Sequence, residues 1–153
     1  TKKYFYEDQN HCIWGCTGDI GYVDEDGYLF VEGRANDSFY SEDGKRIYLF
    51  DIERIVLEDE MVAQCKAVAV QINGKFKPIL HVVLQKNGVT DAKTVIPRIY
   101  KKLSEHLPQN AVPVAYKLRQ ALPVHPNGKR NVEALKAEND GFVDFMGNAW
   151  KVR

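Results

Sequence analysis

The sequence predicts an α+β domain: a small mixed β-sheet flanked by helices, with a β-hairpin ahead of it. Three observations carry this. Asp24-Glu25-Asp26-Gly27 stands between the β-prone runs Tyr22-Val23 and Tyr28-Leu29-Phe30-Val31-Glu32. An Asp-Gly pair in that setting marks a hairpin, because glycine accepts the positive φ of the turn. Two Val- and Ile-rich runs, Cys65 to Ile72 and Ile79 to Leu84, are joined by Asn73-Gly74-Lys75; they read as a second hairpin, apolar enough to be buried on both faces. Two further stretches repeat apolar residues at helical spacing.

Taken in order, residues 20–34 form the first hairpin. Residues 35–46 have polar turn composition with Phe39 and Tyr40 embedded, and Ile47 starts a short extended piece. From Phe50 a helix places Ile52, Ile55, Val56 and Met61 on one face, with Asp51, Glu53, Arg54 and Glu58 outward. Its early acidic residues complement the helix dipole. The second helix runs from Thr90 to His106, begins at Thr90-Asp91, and carries Val95, Ile99 and Leu103 as its stripe. Pro97 within it marks a kink or a late start, and Pro108 closes it. Val114 to Leu118 offers a strand, Ala121 to Lys129 a loop with two prolines and a glycine, and Asn131 to Ala137 a last helix. From Asn139 to Arg153 the aromatics Phe142, Phe145 and Trp150 show no period, and that tail is unassigned. The order is hairpin, then β-α-β-β-α-β-α.

At 153 residues, one core is the default. Lys plus Arg and Asp plus Glu number 21 each, which removes the footprint of a nucleic-acid binder. No apolar run approaches the ~20 residues of a transmembrane segment. The opening Thr1-Lys2-Lys3-Tyr4-Phe5 has neither an initiator Met nor a signal-like stretch, and reads as an excised fragment. Three cysteines, Cys12, Cys16 and Cys65, are an odd number. They suit a reducing cytoplasm, the expected location, better than a disulfide scaffold. No metal site is expected: His11-Cys12 and Cys16 lack a second ligand pair at zinc spacing, and the acidic turn at Asp24 lacks the remaining ligands of a calcium loop. His125 reads as a solvated loop residue and His81 as a packed, hydrogen-bonded one.

Thr17-Gly18-Asp19, running through the Asp24–Gly27 turn to Gly33-Arg34, and Pro126-Asn127-Gly128-Lys129 about a hundred residues later are each ordinary turn chemistry alone. An isolated Asp19 reads as a turn or capping residue, and an isolated Lys129 as an exposed turn lysine. In this order and separation they resemble the C-terminal part of the adenylate-forming enzymes: acyl-CoA synthetases, luciferases and peptide-synthetase adenylation domains. The likeness covers roughly residues 14 to 136 and is strongest to an acyl-CoA synthetase.

The resemblance implies roles for particular residues. Thr17, Gly18 and Asp19 match the motif whose aspartate accepts hydrogen bonds from the ribose hydroxyls of ATP; a carboxylate, acceptor-only, suits that task. Arg34 matches an arginine on the ribose or phosphate side of the nucleotide. Asn36, followed by Asp37, stands at the hinge between a large and a small domain, where the family typically has Asp or Lys. Asn tolerates the φ/ψ change a hinge needs. Gly44 belongs to a loop that enters the active site in the thioester-forming pose. Here Phe39-Tyr40 is followed by Ser41-Glu42-Asp43 before Gly44, one residue more than usual, with Tyr40 in place of a lysine. Ile47 and Asp51-Ile52-Glu53 recover the register, with Leu49 where proline is common. Lys129 matches the catalytic lysine that bridges the substrate carboxylate and the α-phosphate. A cation so placed in a dry site contributes roughly 10²–10³ in rate.

The chain is therefore expected to divide into residues 1–35, a remnant of the larger ATP-binding domain including the hairpin; residues 36–138, the small C-terminal domain; and the tail 139–153. The implied reaction is carboxylic acid plus ATP to acyl-AMP, then transfer to CoA, in fatty acid metabolism. The missing N-terminal domain of the same polypeptide would hold most of the ATP and Mg²⁺, since no glycine-rich, Ser/Thr-rich phosphate loop occurs here. The fragment alone is expected to be inactive and to bind none of these tightly. Two alternatives stay open: an adenylation domain loading an amino or aryl acid onto a carrier protein, and a non-catalytic relative acting as an interaction module.

Overall fold

The computed structural model describes residues 4–86 and 91–151. It opens with two antiparallel hairpins, β1 (Phe5–Glu7) with β2 (Ile13–Gly15) and β3 (Asp19–Val23) with β4 (Leu29–Arg34). The second is the expected one. The Asp24 carboxylate closes its turn by accepting from the backbone N–H of Asp26 at 3.1 Å and of Tyr28 at 2.8 Å. The first, not anticipated, uses the same device. Asp8 accepts from the Asn10 and Cys12 amides and from the Trp14 indole. These bonds, Trp14 foremost, hold its carboxyl below the usual range. Neither hairpin has a core. Phe5, Trp14, Leu29 and Val31 are exposed, and Tyr22 stacks on Phe30 in the open at 5.2 Å.

A 3₁₀ turn, Ala35–Asp37, leads into a third hairpin of β5 (Ser38–Tyr40) and β6 (Arg46–Tyr48). Composition alone reads this stretch as loop. Pairing of Phe39 with Ile47, both buried in the main core, makes it strand. Helix α1 (Leu49–Leu57) then buries Ile52, Ile55 and Val56 as the spacing predicts. It stops before Met61, whose N–H turns to the Asp59 carboxylate at 2.9 Å. Glu53, expected outward, tucks beneath α1 and accepts from the Ala67 amide at 3.1 Å.

The main sheet has five strands in the order β11-β10-β9-β8-β7. They are β7 (Val62–Ile72), β8 (Lys75–Leu84), β9 (Ala115–Arg119), β10 (Phe142–Val143) and β11 (Ala149–Trp150). β7 and β8 form the long second hairpin. Its two-residue turn, Asn73 at φ 50° and Gly74 at φ 77°, matches the right-handed twist of the strands. β9 runs parallel to β8 after the crossover helix α2 (Ala92–His106), so the sheet is mixed, as expected. Asp91 caps α2 by accepting from the Lys93 amide at 3.2 Å; Thr90, the expected start, lies outside the described residues. The helix is assigned continuously across Pro97, which is therefore not a late start.

One sheet face carries α1 and α2, with Ile52, Val56, Leu80, Ile96 and Leu103 at its centre. The other carries α3 (Val132–Lys136), with Val68, Ile79, Leu122, Leu135 and Phe142. Both faces of β7 and β8 are thus buried. Residues 142–150, unassigned from sequence, extend the sheet. Asp144 turns β10 into β11 by accepting from the Met146 and Asn148 amides at 2.8 and 2.9 Å. Phe145 stacks on Tyr100 of α2 at 4.7 Å. Among the described residues no helix is long and apolar enough to cross a membrane.

Candidate functional site

Antiparallel pairing sets Asp19 directly opposite Arg34, after a register shift between Ile20 and Gly21. Their side chains meet, Arg34 Nε to Asp19 Oδ1 at 3.0 Å. The pair is solvent-facing, so its worth to stability is small. Its chemistry is to hold one carboxylate and one guanidinium in a fixed relation. Backbone hydrogen bonds lock the approach: Thr17 Oγ1 accepts from the Asp19 amide at 3.1 Å, and the Gly18 carbonyl accepts from the Ala35 amide at 2.9 Å. Thr17, Gly18, Asp19 and Arg34 therefore form one cluster. Acceptor oxygens beside a planar donor array suit vicinal hydroxyls or a phosphate.

Asn36 and Asp37 make up most of the 3₁₀ turn that follows. Asp37 Oδ2 lies 3.3 Å from Lys66 Nζ, and the same ammonium lies 3.0 Å from Glu53 Oε1. Burial raises the Glu53 carboxyl above its ordinary range, against the pull of Lys66. Burial also acts to lower Lys66, but Glu53 and Asp37 outweigh it and leave its pKa raised. The turn is thereby anchored to β7 and α1 through Asp37, while the Asn36 side chain has no hydrogen-bonding partner among the described residues. A cleft of about 340 Å³ lies against the turn, lined in part by Asn36, Tyr40, Phe76 and Lys136.

Gly44 sits in the β5–β6 loop at φ 76°. Its amide donates to the Ser41 carbonyl at 2.9 Å, and Ser41 Oγ reaches the Lys45 carbonyl at 2.8 Å. The loop with the extra residue is strapped down. Lys75 and Lys77 bind the Glu42 carboxylate at 2.6 and 2.8 Å and hold its pKa at about 2. Asn110 donates to Asp43 at 2.9 Å. Tyr40, which the resemblance sets in place of a lysine, is exposed, with the Arg46 guanidinium 5.3 Å from its ring centre.

Lys129 stands on a separate loop. Leu122 anchors the loop in the core, and an antiparallel bridge joins Val124 to Arg130. His125 accepts from the Gly128 amide at 2.8 Å, and Asn127 Oδ1 accepts from the Lys129 amide at 3.0 Å. Arg130 ties the outgoing strand to Gln64 of β7 at 3.1 Å. The exposed Lys129 ammonium has no hydrogen bond or ion pair among the described residues. A rigid turn thus holds out a free cation, which does not join the Asp19–Arg34 cluster. The exposed His125 side chain has no partner there either.

Sequence reasoning missed the residues that brace this site, Arg46, Tyr48, Glu53 and Lys66. The available signal was the alternation around Ile47, which puts Arg46 and Tyr48 together on the face opposite a core residue.

No family model matches the chain. It is 30% identical over 148 residues to the 2-succinylbenzoate–CoA ligase of Bacillus pumilus, covering 94% of this chain and 29% of that protein. It is 30% identical over 139 residues to the D-alanine–D-alanyl carrier protein ligase of Listeria welshimeri, covering 90% and 27%. Among solved structures, the O-succinylbenzoate coenzyme A synthetase of Bacillus subtilis in complex with AMP superposes with a TM-score of 0.69 at 27% identity, covering 88% of this chain and 26% of that one. The chain spans 22 to 29% of the length of the first curated relatives it matches. With the mixed sheet and the run from Thr17 to Arg34 in register, these likenesses make the chain a member of the adenylate-forming enzymes, corresponding to their C-terminal domain.

Proposed function

We propose that this chain is the C-terminal domain of an AMP-forming acyl-CoA synthetase, which converts a carboxylic acid and ATP to acyl-AMP and pyrophosphate and then forms the CoA thioester. The observation that carries this is Lys129, an unpaired cation on a braced turn in a chain that also presents the opposed Asp19–Arg34 pair. Asp19 accepts from the ribose hydroxyls and Arg34 donates to the nucleotide. Lys129 lies between the acid's carboxylate and the α-phosphate, two anions that repel unless a cation bridges them. Asn36 is the pivot and Asp37 its anchor; Gly44 belongs to the loop that approaches the thiol donor. Residues 1–35 belong with the larger domain, a reading supported by the exposure of Phe5, Trp14, Tyr22 and Leu29. Mg²⁺ accompanies the ATP phosphates on that larger half, and no residue of this chain is assigned to it. The setting is cytoplasmic, and the substrate class is carboxylic acids of fatty acid metabolism.

The likeness to a D-alanine–D-alanyl carrier protein ligase supports a second reading, transfer to a carrier-protein thiol instead of CoA.

The test is ATP–pyrophosphate exchange by the full-length parent over fatty, aryl and amino acids, with wild type beside Lys129→Ala. Exchange with one acid class, reduced roughly 10²–10³-fold in the variant, is expected. Exchange that survives intact would remove Lys129 from the chemistry, and none with any acid would favour a non-catalytic interaction module. Adding CoA or a pantetheinylated carrier protein separates the two acceptors. The 153-residue chain alone is expected to show negligible ATP binding by calorimetry.

A further inference from the structure

Residues 5–34 and residues 38–151 are joined through the Ala35–Asp37 turn. Across that junction they share one side-chain hydrogen bond among the described residues, from Tyr48 Oη to Glu32 Oε2 at 3.0 Å. The Tyr48 ring also lies on Gly33, where a Cβ would stand 3.2 Å from the ring carbon Cδ1. Gly33 therefore lets the strand end settle on the ring face. Tyr48 itself is placed by the core, being flanked by the buried Ile47 and Leu49. Arg46 lies 6.0 Å from the ring centre and donates to Ser38 Oγ at 3.0 Å, and Ser38 donates to the Ala35 carbonyl at 2.9 Å. Beside this contact the two parts are separated by a cleft of about 410 Å³ lined by Val31, Glu32, Tyr48, Phe50 and Asp51. Arg34 is the next residue after Gly33, so any swing of β4 on Tyr48 carries the Asp19–Arg34 pair with it.

We infer that Tyr48 is a positioning residue: its ring on Gly33 and its hydroxyl on Glu32 set the orientation in which the β3–β4 ribbon presents Asp19 and Arg34. That the presented ligand is a nucleotide rests on the function proposed above; the orienting role does not.

The experiment measures residual dipolar couplings of the backbone amides in the 153-residue chain. In wild type one alignment tensor fits the amides of β3–β4 and of β7–β9 together. In Tyr48→Ala, and in Glu32→Ala, whose exposed side chain lies outside the core, the β3–β4 couplings shrink or need a second tensor while the β7–β9 couplings keep theirs. Tyr48→Phe, which like Glu32→Ala loses only the hydrogen bond and keeps the ring on Gly33, should match Glu32→Ala and fall short of Tyr48→Ala. A single tensor in every variant, or two tensors already in wild type, would overturn the orienting role. In the full-length parent, Tyr48→Phe is expected to raise KM for ATP in pyrophosphate exchange about threefold to tenfold with kcat changed less, the range one net hydrogen bond covers. An unchanged KM would overturn the link to the nucleotide. Absence of exchange in wild type would sink the proposed function and leave the coupling result standing.

Discussion

Acidification should destabilise the five-stranded sheet through His81 of β8. The imidazole is fully buried, and its Nδ1 lies 3.2 Å from Arg119 Nη1. A guanidinium only donates, so Nδ1 is the acceptor and the neutral ring carries its proton on Nε2. Nε2 lies near the Leu135 backbone yet makes no hydrogen bond of ordinary length. Burial first, then Arg119 and Lys117, push the pKa down to about 4 from 6.5, with Glu138 opposing. The unfolded chain thus binds the proton more readily than the folded one. The contribution is complete above 6.5 and is lost as pH falls from there toward 4. With those two values, linkage gives a loss of about 2 kcal/mol between pH 7 and pH 5. Urea unfolding of wild type and His81→Gln at pH 7, 6 and 5 isolates the effect, because carboxylates such as Glu138 titrate in both. Wild type should lose about 2 kcal/mol more than the variant over that interval. Parallel pH dependences in the two proteins would refute the reasoning.

Two further outcomes are expected. Gly147 stands at φ 78°, and a Cβ there would lie 2.8 Å from the Lys93 Cα and 3.0 Å from its amide nitrogen. Gly147→Ala should therefore destabilise by about 1–3 kcal/mol, read by urea unfolding; an unchanged midpoint would mean that the β10–β11 turn is not held against α2. Of the three free thiols, Cys12 and Cys16 are exposed, whereas burial and Glu53 push Cys65 up to about 12. A thiol titration at pH 8 should count two fast groups in the folded protein and the third only in denaturant.

What sequence reveals of this fold follows how local the cause is. The β7–β8 hairpin was legible because Asn73 and Gly74 both take positive φ and the runs beside them are apolar on both faces. Helix α3 was legible from Asn131, which caps it by accepting from the Ala134 amide at 3.0 Å. The β10–β11 hairpin was missed, although Asp144-Phe145-Met146-Gly147-Asn148 repeats the pattern of Asp24-Glu25-Asp26-Gly27-Tyr28. In both, an aspartate accepts from the amides two and four residues on. The first was caught because its Asp26-Gly27 pair stands between β-prone runs. The second has flanks of two residues, whose pairing depends on β9 and α2 already being in place. Residues 35–46 failed for a related reason: Phe39 and Ile47 become strand through burial against α1 and α2, which no local propensity encodes.

The candidate site divides along the same line. Asp19, Arg34 and Lys129 were singled out by resemblance, from short motifs at a set separation, and each stands in a strand end or turn that a few neighbours determine. What holds those motifs to the body of the domain was not legible, because Glu53 to Lys66, Asp37 to Lys66 and Tyr48 to Glu32 connect positions 13 to 29 residues apart. Charge alone would have misassigned them. Glu53 looks like a solvated helix carboxylate in the sequence, yet it lies under α1 with a raised pKa, bound to Lys66 and to the Ala67 amide. Removing one partner of such a pair leaves the other buried and unmatched, which costs far more than the pair itself contributes. The physical consequence is a division of labour. The candidate groups Asp19, Arg34 and Lys129 sit on exposed turns and ribbons, whereas Tyr48, Glu53 and Lys66, which tie the ribbon and the turn to the sheet and α1, are half-buried, where geometry is stiff.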